Sequence, residues 1–236
     1  MRASKNIGPI LLAGVMGILL GVNIHAHNSV RAADTGAASY PKDIYPDSRN
    51  RLPLPKREDM DDYGKKVYDE LMQTPKLPGD PVYPVRLYSP RFAGPEGEAH
   101  HYLKYETGLS GRLMEIAILV TARQMDCQYE WTQYERFGRN PADPRHIEQS
   151  TIDIIKYDKP LAGLGEKETA IIQFGRELIG QRKVSSGTFA EVDRLFGRKG
   201  TVDLVWTMAL YTIAGAELTV FDQQLQVGQQ PLLPLR

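Results

Sequence analysis

Leu113–Glu135 reads LMEIAILVTARQMDCQYEWTQYE, and this stretch decides the fold. In its first half Leu113, Met114, Ile116, Ala117, Ile118, Leu119, Val120 and Ala122 cover almost every angular position of a helix. A helix that is apolar nearly all round is a buried one. Ser110 stands where an N-cap hydroxyl belongs, which predicts a helix over 111–125. Asp126 is placed to cap a second helix, from Cys127 to about Gly138. On it Cys127, Glu130, Trp131 and Tyr134 share a face, whereas Tyr129 does not.

Outward from this pair the helical reading continues. Glu58–Met72 follows helical spacing and has its acidic residues in the first turns, where the helix dipole favours them. Prolines from Pro75 to Pro95 predict a long connection, and Gly97–Thr107 a short helix carrying His100 and His101. Asp143–Pro144 predicts a helix start and a helix through Ile155. Further helices are expected over 166–180, 186–197 and 201–221. The last has few charges in its middle, which suits a core helix or an oligomer seam. No segment shows strict two-residue alternation, so the fold class is all-α, with some eight short helices. The divisions are 1–32 signal peptide, 33–57 proline-rich arm, 58–225 helical domain and 226–236 extended tail.

The 236 residues are 42% hydrophobic and 25% charged, enough for one domain with a sizeable core. Lys plus Arg equals Asp plus Glu at 29 each, and no basic stretch is interleaved with aromatics. Nucleic acid is therefore not an expected partner, and zero net charge does not oppose self-association. Arg2 and Lys5 precede an apolar run, Ile7 to Ile24, followed by Ala26, Ala32 and Ala33. This is the layout of a secretory signal peptide, with an uncleaved membrane anchor as the alternative. The expectation is a periplasmic or secreted protein with no membrane contact after cleavage. Cys127 is the single cysteine, so no internal disulfide forms; outside the cytoplasm such a thiol is either buried or used.

The chemistry concentrates where the two central helices meet. Glu115 in an apolar run is desolvated, which raises a carboxyl pKa and suits proton transfer near neutrality. Cys127 at a helix start has its thiol pKa lowered by unpaired amides, opposed by Glu130. The alternative is structural: Glu115 pairs with Arg112 or Arg123, Glu130 with Arg123 or Arg136, and Trp131 and Tyr134 are core aromatics. His100 and His101 diverge on a helix and do not chelate together. No phosphate loop, dinucleotide fingerprint or nucleophile elbow is present, so neither cofactor nor metal is expected.

The pattern Arg112-Leu113-x-Glu115-x-Ala117-Ile118-Leu119, then Cys127-Gln128-Tyr129-Glu130-Trp131, resembles the carboxymuconolactone decarboxylase and alkylhydroperoxidase D superfamily. The resemblance extends over about Arg51 to Asp222 and implies an all-helical fold assembled as a homo-oligomer, trimer or hexamer. In the peroxidase branch a relay glutamate precedes a Cys-x-x-Cys pair and a histidine. Glu115 matches that glutamate, Cys127 the first cysteine and Tyr129 the tyrosine between the two. Glu130 stands in place of the second cysteine and Tyr134 in place of the histidine.

These departures leave three readings. The first is an exported enzyme moving protons on a small organic acid or lactone. Its catalytic residues are Glu115 and Glu130, with Tyr129 and Tyr134 as hydrogen-bond donors and Cys127 as an auxiliary thiol; Trp131 and His101 contact the substrate. The second is a single-cysteine peroxidase working through Cys127. The third is a non-catalytic oligomer that binds a small ligand.

Overall fold

Met114 to Arg123 are buried without interruption, and that run is the axle of the molecule. The computed structural model describes residues 40–73 and 82–236. Among them are eight α-helices, a 3-10 turn at Arg57–Asp59 and no strand beyond an isolated Tyr45–Asn50 bridge, so the all-α class holds. The helices are α1 (Asp62–Gln73), α2 (Val82–Arg86), α3 (Pro90–Tyr105), α4 (Gly111–Gln124) and α5 (Gln128–Gly138). They continue as α6 (Gln149–Lys156), α7 (Glu166–Gly175) and α8 (Ser186–Val220). The signal-peptide reading of residues 1–32 and the connection over 74–81 lie outside the described residues. Among the described residues no helix is long and apolar enough to cross a membrane.

The Ser110 hydroxyl accepts from Leu113 N and starts α4 as its sequence requires. Packed around α4 are α5, α6, α7 and α8. Ile116, Ile118, Leu119 and Val120 are shut off from solvent, each contributing roughly 1.5–3 kcal/mol of burial. Gly175 sets how closely α7 approaches. A Cβ there would lie 2.6 Å from Val120 Cγ1 and 3.2 Å from Met208 Cε. Behind Gly175 the chain widens into a π-helical turn, Arg176–Gln181, so the helix predicted over 166–180 changes type partway.

Gly197 (φ 68°, ψ 172°) breaks α8 in two. The expected pair of helices, 186–197 and 201–221, is present with a backbone kink in place of a loop. α1 and α3 form a second layer, which reaches the core through α3 and α8. The arm docks on the end of α8. Asn50 Nδ2 donates to Gln223 Oε1 at 3.0 Å, and Gln223 Nε2 donates to Arg49 O at 2.9 Å. The tail lies along α5, with Gln128 Nε2 donating to Leu233 O (2.7 Å) and Leu233 N to Gln128 Oε1 (2.8 Å).

Three helix starts differ from expectation. α3 begins at Pro90, seven residues before Gly97, and runs through Pro95. Pro90 falls in the first turn, where its missing N–H is no loss; Pro95 gives up one hydrogen bond while the turn buries Ala93 and Glu96. Conversely, 143–148 is a loop, and α6 starts only at Gln149. Asp143 does not cap a helix because its carboxylate is taken by Arg145, through N (2.9 Å), Nε (2.8 Å) and Nη2 (2.6 Å). The first helix also starts late, at Asp62, with Asp61 Oδ1 accepting from Gly64 N at 2.7 Å.

Candidate functional site

α4 and α5 run antiparallel, so Glu115, near the start of α4, meets the end of α5. Its Cγ lies 3.7 Å from where a Cβ on Gly138 would sit, and any larger side chain there would crowd it. Glu115 is completely buried, and neither carboxylate oxygen has a hydrogen-bond partner among the described residues. Arg112 and Arg123, its expected partners, are engaged elsewhere. Arg112 Nε holds Glu168 at 2.6 Å, and Arg123 pairs with Asp126 and donates to Pro234 O at 2.7 Å. Burial pushes the Glu115 carboxyl up to about 8, against the pull of the Arg145 charge and with a smaller push from Asp143.

The 139–148 loop delivers that arginine. Ile147 N donates to Gly138 O at 2.9 Å, folding the loop back on the end of α5. The Arg145 guanidinium then lies 3.9 Å from the centroid of the Phe137 ring, clamped from the other side by Asp143. Its charge acts on both Glu115 and Tyr134. Tyr134 is one turn before Gly138 on the same face of α5. Its hydroxyl lies 3.1 Å from that of Tyr211 on α8, with the rings edge to face at 5.4 Å. His100 of α3 stands edge-on to Tyr211, centroids 6.0 Å apart. Its Nε2 is closed off from solvent although the residue as a whole keeps some exposure. Burial lowers the imidazole to about 3, helped by the positive charges of Lys104 and Arg86, so it is neutral at physiological pH.

A buried ion cluster ties the surrounding helices together. Arg86 of α2 reaches Glu96 of α3 at 2.7 Å and Glu217 of α8 at 2.8 Å. Glu217, an acid in the otherwise apolar α8, is thus ion-paired.

The structure divides the residues singled out in the sequence. Glu115 and Tyr134 share the end of α5. Glu130 is buried but lies at the opposite end of that helix. There its Oε2 is 3.7 Å from the Cβ position of Gly215, beside Met125. Eight residues separate Glu130 from Gly138, about 12 Å of helix at ~1.5 Å per residue. Cys127 and Tyr129 belong to a separate cluster with Leu218, Met125 and Leu225. Cys127 is the N-cap of α5, yet burial and then Glu130 push its thiol up to about 12, outweighing the backbone amides expected to lower it. Trp131 is a core residue. Its indole N–H donates to buried Glu135, which also takes Lys156 Nζ at 2.7 Å. His101 points to solvent and faces Glu106 at 3.6 Å; the imidazole beside the tyrosine pair is that of His100.

Three members of the site are not among the sequence's candidates: Arg145 and Tyr211, which nothing there singles out, and His100, which enters there only as a metal ligand beside His101. A signal existed for two of them. His100 continues the inward stripe Ala93, Glu96, Leu103 on α3. Tyr211 continues Leu204, Met208, Gly215, Leu218 on α8. Among the described residues no group of three or more His, Cys, Asp or Glu side chains is placed to hold a metal ion. The arrangement offers a carboxyl near its protonation midpoint at neutral pH, a fixed cation and phenol hydroxyls, which are the parts of a proton-transfer site. No family model matches this chain, and no curated protein matches its sequence.

Proposed function

We propose that the chain is a carboxymuconolactone decarboxylase-like enzyme that transfers protons on a small organic acid or lactone, with Glu115 as the acid/base group. One observation carries this reading: Glu115 is completely buried, no side chain of the described residues hydrogen-bonds its carboxyl, and Arg145 is held within its field. A buried polar group left without a partner is expensive, and a proton-carrying role accounts for its retention. In a decarboxylation, loss of CO2 leaves an electron pair on the substrate carbon. Glu115 gives its proton to that carbon, and the resulting carboxylate is stabilised by Arg145 until solvent reprotonates it. Tyr134, fixed by Tyr211, donates a hydrogen bond to the developing oxyanion. Export is part of the proposal and rests on Arg2, Lys5 and the apolar run that follows. An oligomer of the kind the superfamily resemblance implies is part of it too.

The thiol reading is weaker. At neutral pH a thiol pushed up to about 12 has almost no thiolate, the form that attacks peroxide.

The test is turnover of a panel of small lactone acids and β-keto acids in D2O, followed by NMR for CO2 loss and deuterium incorporation. The native protein is expected to exchange or decarboxylate a member of the panel, with a rate that falls as pH rises through about 8. Glu115→Gln is expected to lose that activity while staying folded. Undiminished turnover in Glu115→Gln overturns the assignment, and binding without turnover supports the non-catalytic oligomer.

A further inference from the structure

The inward face of α8 fills the core, but its outward face is apolar as well. Val202 is 52% exposed, Trp206 60%, Ile213 39% and Val220 60%. With Ala209 and Ala216 between them, these residues are spaced four, three, four, three, four along the helix. The mean step is about 3.6 residues, the period of a straight α-helix, so the six positions stay in line on one side of it. Scattered exposed apolar residues need no explanation, but an unbroken stripe of them along one helix does.

We infer that α8 is the seam of a two-fold homodimer, lying antiparallel against α8 of a second copy. The order of residue sizes selects this occupant. A two-fold axis at the level of Tyr211 places Val202 against the partner's Val220. It also places Trp206 against the partner's Ala216 and Ala209 against the partner's Ile213. Every large side chain then meets a small one, apart from the terminal valine pairs, so the stripe is complementary to its own reverse. A parallel pairing would set Trp206 on Trp206 and Ala209 on Ala209, a clash next to a gap.

Charge does not oppose the pairing. Lys199 at the start of the seam is neutralised within its own chain by Asp203, and Asp222 just beyond its end by Arg51, so neither end presents an unpaired lysine or aspartate to the partner. From Val202 to Val220 the seam is about 27 Å long; one helix diameter wide, it has a flat footprint of roughly 300 Å² per protomer. A standard interface buries about 800 Å² per partner, so the seam is its apolar centre and flanking residues such as Tyr102 of α3 supply the rim. The pairing is independent of the chemistry proposed above; of the two assemblies the resemblance implies, it fits a hexamer made of three dimers and not a trimer.

The test uses the protein as purified. Sedimentation or light scattering over a dilution series is expected to give a dimer, or an assembly built from dimers, that dissociates on dilution. Trp206→Glu is expected to halve the mass and to weaken association by about 100-fold or more. Ile213→Lys is the second variant if the first misfolds. Trp206 is one of two tryptophans and Trp131 is fully buried, so an emission red shift on dissociation reports the seam directly. Orientation is read by disulfides: V202C/V220C is expected to cross-link between chains under mild oxidation, whereas V202C alone is not, its two copies lying about 27 Å apart. A monomer at every concentration overturns the inference, as does cross-linking of V202C alone. A native protein that stays monomeric but binds phosphatidylglycerol vesicles, with Trp206→Glu not binding, assigns the face to a membrane and overturns it equally.

Discussion

Replacing Glu115 by glutamine should change how stability depends on pH, and the structure gives the size of the effect. The carboxyl titrates near 4.5 when unfolded and near 8 in the fold. Between those values the unfolded chain has lost a proton that the folded chain keeps. The native state therefore binds more protons, and stability falls as pH rises. Each unit is worth about 1.4 kcal/mol, so the loss across the window is on the order of 4–5 kcal/mol, complete above about pH 8. His100 works in the opposite sense. Its folded value of about 3 lies below the ordinary 6.5, so its contribution is lost as pH falls below 6.5. From pH 4.5 to 6.5 the two slopes largely offset each other, and native stability should be nearly flat; from 6.5 to 8 it should fall by about 2 kcal/mol. Glu115→Gln removes one slope and leaves the other. The assay is urea unfolding of both proteins at half-unit steps from pH 4.5 to 9. With m near ~2 kcal/mol/M, the native midpoint should lose about 0.7 M per unit relative to the variant. A difference curve that stays flat would refute the reasoning, because it would mean that the fold already holds Glu115 ionised.

Gly175→Ala drives a methyl to within 2.6 Å of Val120 Cγ1, where both α4 and α8 are fixed, and should lower stability by about 1–3 kcal/mol in the same unfolding assay. Cys127 should react with a disulfide reagent orders of magnitude more slowly than free cysteine at pH 7, reaching full labelling only in denaturant.

The axle helix was legible because α4 is apolar all round and its serine cap is local, so one stretch of sequence contained both its placement and its start. The Gly197 break was legible for the same reason. The start of α3 was not, since Pro90 and Pro95 look like breakers until the burial of Ala93 and Glu96 is known. Residues 143–148 follow the rule for a helix start, and the rule fails there because Arg145 competes for the capping carboxylate. For the site, spacing put Glu130, Trp131 and Tyr134 on one side of α5 but could not say which neighbour each would meet. Trp131 meets Glu135 and Lys156, Tyr134 meets Tyr211, and Glu130 meets Gly215. His100, Arg145 and Tyr211 reach the site from distant parts of the chain, and that convergence is set by packing.

Residues 232–234 lie along the flank of α5. Leu233 is buried, Gln128 exchanges two hydrogen bonds with it, Thr132 accepts from Leu232 N, and Arg123 is capped by Pro234 O. The helix bearing Tyr134 is thus braced by residues 232–234. Removing them would take these partners from Gln128, Thr132 and Arg123 and leave α5 uncovered along one flank, so a cut far from Tyr134 in sequence would loosen the helix that positions it.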